Sequence, residues 1–141
     1  MGASDLSDRY RTYISRCNAR RFDELREFVA PDVVASETAE GIDNYIAGIE
    51  AVVTGFADYR WDLQHLLVDG TWIAARLLGS GTHTGPFRGI AATGRAVRVQ
   101  ELAMYRTEGG MITRCWGDLG ATLRDELVSG DGSRGRSTLR G

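Results

Sequence analysis

Near residue 56 the apolar residues change period, and that change restricts the possible folds more than any other feature of the chain. Before it the spacing is helical. In "SDLSDRYRTYISRCNARR" Tyr10, Ile14 and Cys17 share a face, with Ser4 or Ser7 available as a cap. "FDELREFVAP" predicts a second short helix, with Phe22, Leu25, Phe28 and Val29 in helical register and Pro31 after its end. A third follows in "IDNYIAGIEAVVTGF", where Ile42, Tyr45, Ile46, Ile49 and Val53 form a stripe. Beyond residue 56, "YRWDLQHLLV" and "AVRVQELAMYR" alternate, "TWIAARLLGSG" is a mostly apolar run, and "MITRCWGDLG" completes the set. Asp69-Gly70 and Gly109-Gly110 fall between neighbouring runs as hairpin turns, and "ATLRDELV" supplies a closing helix. Helices first and an antiparallel meander second make an α+β fold, with N-terminal helices packed on a curved antiparallel sheet.

The chain has 141 residues, enough for one domain with one core. We place that domain at residues 1–128 and expect "SGDGSRGRSTLRG", residues 129–141, to be a flexible tail. A formal charge of -2 gives no electrostatic basis for binding nucleic acid or an anionic membrane. No run approaches the roughly 18–20 apolar residues of a membrane span. The first ten residues lack an apolar signal region, and Leu6 breaks the myristoylation pattern, so a cytoplasmic protein is expected. Cys17 and Cys115 have no ligand-spaced histidines near them, so no metal is expected and both read as apolar fillers.

Five glycines and one of the two histidines crowd into "GSGTHTGPFRGIAATGRAV", residues 79–97. His83 reads as a loop hydrogen-bonding residue. The glycines read as relief where strands cross, bringing the strand of Arg76 alongside that of Gln100. This stretch, followed by "YRTEGGMITRCW" and preceded by "YISRCNARRFDELREFVAPDVV", resembles the SnoaL-like family, within the NTF2-like superfamily. The founding members of that family are cyclases of aromatic polyketide biosynthesis. The resemblance implies an NTF2-like cone, an α+β barrel whose helices and sheet enclose an apolar pocket. It further implies an aromatic polyketide as small-molecule substrate and no resident cofactor. We expect a homodimer, because Val97, Val99, Ala103 and Tyr105 form an apolar strand face suited to sheet packing.

Strand parity sorts the candidate site residues. Arg98, Gln100, Leu102 and Met104 share one face of their strand, opposite Val97, Val99, Glu101, Ala103 and Tyr105. Ile112, Arg114, Trp116 and Asp118 lie together on the last strand. Parity alone does not say which face is inside. The resemblance orients it, since relatives carry a W-x-D acid that points into the pocket, matching Trp116-Gly117-Asp118. On that orientation Trp116, Gln100, Leu102 and Met104 face the substrate.

Asp118, walled by apolar neighbours, would have a raised pKa and could shuttle a proton at a carbon next to a ketone. Equally, it could cap the closing helix. Gln100 could donate to an enolate oxygen. Arg76 could pair with Asp118, bind a substrate phenolate, or hold its head in water at the rim. His65 is a pocket base or a structural histidine, and Asn18 is a substrate contact or a helix terminator. By resemblance, the aldol cyclases carry an acid/base Asp, a Gln, and a His two residues beyond the Gln. Asp118 and Gln100 match, whereas Leu102 stands where the His should be. A related branch hydroxylates polyketide rings without metal or flavin, drawing on a separate reductase if one is needed. Both reactions begin by removing a proton to give an enolate or phenolate. The alternative is a non-catalytic module that binds a small ligand or dimerises.

Overall fold

The computed structural model describes residues 2–35 and 39–129. Helix α1 (Ala3–Asn18) is followed by a 3-10 helix (Phe22–Glu27), strands β1 (Val29–Ala35) and β2 (Ala39–Glu40), and helix α2 (Ile42–Gly55). Strands β3 (Arg60–Asp69), β4 (Trp72–Thr82), β5 (Ala96–Glu108) and β6 (Met111–Trp116) come next, then α3 (Leu119–Val128). The helices pack on a curved, open sheet of order β2-β1-β6-β5-β4-β3. Residues 130–141, most of the expected tail, lie outside the described residues. None of the described helices is long and apolar enough to cross a membrane.

Three local expectations change. The second expected helix is a single 3-10 stretch, and from Val29 the chain runs as a strand through Pro31. That strand pairs in parallel with β6, from Val29↔Ile112 to Ala35↔Cys115, so the sheet is mixed rather than wholly antiparallel. Its register slips between Val29 and Val34, around Pro31, which has no N–H to give to a ladder. Neither serine caps α1, whose N-cap is Gly2.

The hairpins form where expected. Gly70 has φ 61°, and Gly109 and Gly110 have φ 58° and 84°, the left-handed values these tight turns need. The glycine-rich link is architectural, as read. A Cβ on Gly79 would overlap the Tyr59 hydroxyl, so that position admits no side chain while Tyr59 fills the core. His83 is fully buried. Its Nδ1 accepts from the Thr93 N–H at 3.2 Å and contacts Thr93 Oγ1 at 2.9 Å, and its ring lies 5.2 Å from that of Phe56.

The core lies between the helices and one sheet face. Leu25, Val29, Val33, Phe56 and Leu123 have no exposed surface, and each such side chain contributes on the order of 2 kcal/mol by leaving water. The inner face of β5 is Val97, Val99, Glu101, Ala103, Tyr105 and Thr107, and that of β4 is Ile73, Ala75, Leu77 and Gly79. This reverses the expected orientation. Leu102 is 63% exposed, Met104 46% and Trp116 39%, because their face points away from the helices. The face expected to carry a dimer contact is instead buried within the domain, with Tyr105 packed against Tyr10 and Tyr13 of α1 and β5 in contact with α3.

Candidate functional site

Among the described residues, three concavities of some size lie against the sheet. The first is an open groove of about 890 Å³ on the outer face, lined by His65, Arg76, Leu102, Met104, Trp116 and Asp118 among others. Most of the residues singled out from the sequence therefore do come together, but outside the core. Arg76 Nε donates to Gln100 Oε1 at 2.6 Å, and its Nη1 lies 3.3 Å from His65 Nδ1. This ladder across β3, β4 and β5 occupies the Gln100 carbonyl, and Arg76 pairs with it rather than with Asp118. Trp116 stacks on Trp72 with centroids 5.8 Å apart, flanked by the guanidinium groups of Arg106 and Arg114.

Asn18 lies apart from these residues, in an open groove of about 340 Å³ between α1 and β3. Its amide donates to the Trp61 carbonyl and accepts from the Trp61 N–H, both at 2.8 Å, which ties the end of α1 to β3 and leaves the Asn18 side chain committed to structure. Arg20 reinforces this junction by donating to the carbonyls of Ala57 and Tyr59.

The second concavity is an interior cavity of about 320 Å³ between the helices and the inner sheet face. Its walls are Tyr10, Tyr13 and Cys17 from α1, Tyr45 and Ile49 from α2, and Leu77, Glu101, Tyr105 and Cys115 from the sheet. Ala35, Arg88, Leu119 and Gly120 also line it. The volume lies within the range of small-molecule sites. Cys115 reaches this side because the β5–β6 register slips between Arg106 and Thr107. Tyr105 opposes Cys115 while Thr107 opposes Ile112, so Ile112 and Cys115 both point inward, and strict alternation fails at Thr113.

Glu101 is the chemical centre of this cavity. Its Oε1 is buried without a hydrogen-bond partner. Burial, and secondarily the negative charge of Asp118, push its carboxyl up to about 7. The carboxyl therefore divides between acid and base forms near neutral pH, which suits proton transfer. Asp118 is exposed at the N-terminus of α3 and makes no side-chain capping bond there.

Four tyrosine hydroxyls form two pairs nearby, Tyr10–Tyr105 at 2.9 Å and Tyr13–Tyr45 at 2.6 Å. Burial holds all four well above the ordinary tyrosine value, so they stay protonated. Each pair spends one proton on its internal bond and keeps one to donate. Burial likewise pushes the thiols of Cys17 and Cys115 up to about 12, leaving them poor nucleophiles. Among the described residues no three His, Cys, Asp or Glu side chains cluster as metal ligands would.

Sequence reasoning missed Glu101 as a site residue, although its signal was present. A glutamate interrupts the apolar inner alternation of Val97, Val99, Ala103 and Tyr105, and a charge at a core position signals a site.

A sequence model of SnoaL-like polyketide cyclases matches residues 7–125. No curated protein matches the chain. Among solved structures, a SnoaL-like polyketide cyclase from Agrobacterium tumefaciens is 28% identical, with a TM-score of 0.73 over 84% of this chain and 96% of that one. IdmH from Streptomyces antibioticus, a candidate polyketide cyclase, is 26% identical, with a TM-score of 0.70 over 87% and 98%. AclR from Streptomyces galilaeus, a candidate hydroxylase, shares the fold at 19% identity, with a TM-score of 0.73 over 82% and 79%.

Proposed function

The chain belongs to the SnoaL-like polyketide cyclase family, and on that premise we propose that it tailors an enolisable aromatic polyketide inside the cavity, with Glu101 as the acid/base group. The observation that carries this reading is Glu101 Oε1, buried without a hydrogen-bond partner in a tyrosine-lined cavity. In its ionised form Glu101 takes a proton from the carbon next to a substrate ketone. The spare proton of a tyrosine pair donates to the enolate oxygen as charge builds there. In an intramolecular aldol closure the enolate carbon then attacks a second carbonyl. One carbon–carbon bond forms, the carbonyl π bond opens to an alkoxide, and protonated Glu101 returns the proton. The reaction is an isomerisation with no net change in protons or electrons.

Asp118 acts on this step from outside the cavity by disfavouring the Glu101 anion. In this reading Gln100, Arg76, His65, Leu102, Met104 and Trp116 belong to the outer face and do not touch substrate. Leu102 at the position of the family's histidine then has no bearing on the choice between cyclisation and hydroxylation, since that side chain points away from the cavity. Pairing of two copies uses the outer face, where Leu67, Trp72, Leu102, Met104 and Trp116 are large apolar side chains left exposed.

The test is turnover of an aromatic polyketide ketone with and without oxygen. Equal conversion in both supports cyclisation. Oxygen incorporation moves the reading to hydroxylation of the same enolate or phenolate, with a reductase as partner. Tight binding without turnover identifies a ligand-binding module instead.

A further inference from the structure

Arg88 has no part in the acid/base scheme, and we propose that it is a specificity residue at the cavity mouth, selecting aromatic ketones that carry a free carboxylate. The inference rests on the cavity being the substrate site. Arg88 stands at the tip of a two-residue turn closed by Phe87 N–H to Ile90 O at 3.0 Å and Ile90 N–H to Phe87 O at 2.8 Å. Buried Phe87 anchors the turn in the core, against Gly55 of α2. The guanidinium crosses to the first turn of α3, where a Cβ on Gly120 would collide with its Nη2, so this glycine makes room for the head group. Both residues line the cavity together with Glu101.

Arg88 is exposed, so its guanidinium stands in water at the cavity edge and is free to meet an incoming anion. The N-terminus of α3 is a positive pole, and Asp118 gives its N–H groups no side-chain cap. The Arg88 guanidinium lies beside that helix end, where Asp118 carries a nearby negative charge but forms no ion pair with it. Among the described residues none forms an ion pair or hydrogen bond with Arg88, whose one interaction is with the Phe87 ring at 5.9 Å. Glu101 does not satisfy it either, because its carboxyl is raised by burial and Asp118, with no opposing pull from Arg88. The cavity thus carries two separate polar groups, the buried Glu101 carboxyl within and the exposed Arg88 guanidinium at its edge. A carboxylate suits the planar, two-pronged guanidinium and would place the ketone end of the substrate toward Glu101.

Binding of a tetralone carboxylic acid and of its methyl ester, measured by calorimetry, tests the inference. Wild-type protein is expected to bind the acid about tenfold or more tightly than the ester. Arg88→Gln should abolish that difference and Arg88→Lys should restore part of it, with thermal melts checking that both variants fold. Equal binding of acid and ester to the wild type, binding of neither, or an equal loss for both with Arg88→Gln would overturn it. Glu101→Gln separates this outcome from failure of the cavity reading. It should keep the preference for the acid while losing exchange of the protons next to the ketone. Unchanged exchange in that variant refutes the cavity reading, whereas a missing preference alone refutes only the role of Arg88.

Discussion

Glu101→Gln should make the protein more stable at alkaline pH while removing its acid/base group. The carboxyl has an ordinary value of 4.5 and is pushed up to about 7 in the folded chain. Between those values the unfolded chain gives up its proton and the folded chain keeps it, so stability falls as pH rises. The loss is complete above the folded value and amounts at most to about 3 kcal/mol. Solvent reaching the cavity lowers it toward roughly 2 kcal/mol. Glutamine keeps the shape and removes the ionisation. At pH 8 the variant should therefore melt some 5–10 °C above wild type, whereas near pH 4 the two should nearly coincide. Calorimetric melts from pH 4 to pH 8.5 read this directly. Two curves running parallel across that range would refute a buried, titrating Glu101.

Asp118→Asn removes the charge that helps raise Glu101, so the pH midpoint of activity should move down from about 7, read from the rate profile. Gly79→Ala drives a methyl into Tyr59 and should cost about 1–3 kcal/mol in a urea titration, a cost that Tyr59→Phe should relieve only in part because the ring carbon that bore the hydroxyl still crowds the methyl. Leu102→Glu charges a residue that is 63% exposed, so it should leave monomer stability within about 0.5 kcal/mol while shifting sedimentation from dimer to monomer.

The sequence revealed the element order and the turn glycines because both depend on local chemistry. α2, β3, β4, β5 and α3 fall where period and punctuation placed them. β1 was hidden because Pro31 and Asp32 interrupt an apolar run that pairs with a strand some eighty residues later. Most of the residues expected at the site do lie together, but on the outer face of the sheet rather than beneath the helices. Parity left the inner face of β5 open, and the W-x-D resemblance turned the Trp116 side inward, whereas the apolar face of Val97, Val99, Ala103 and Tyr105, read as a dimer surface, is the one that packs under the helices. The slip near Thr113 then concealed that Cys115 faces Tyr105. In each case a long-range pairing, or a polar residue placed in the core for its chemistry, outweighed the local pattern.

Exchange of the protons next to a bound aromatic ketone, followed by NMR in heavy water, tests the central assignment most directly. With wild-type protein the enzyme-dependent exchange rate should rise through about pH 7 as Glu101 ionises. With Glu101→Gln the ketone should bind with similar affinity and exchange no faster than in buffer. Exchange by Glu101→Gln at the wild-type rate would contradict the account and return the search for the base to Asp118 and the outer groove.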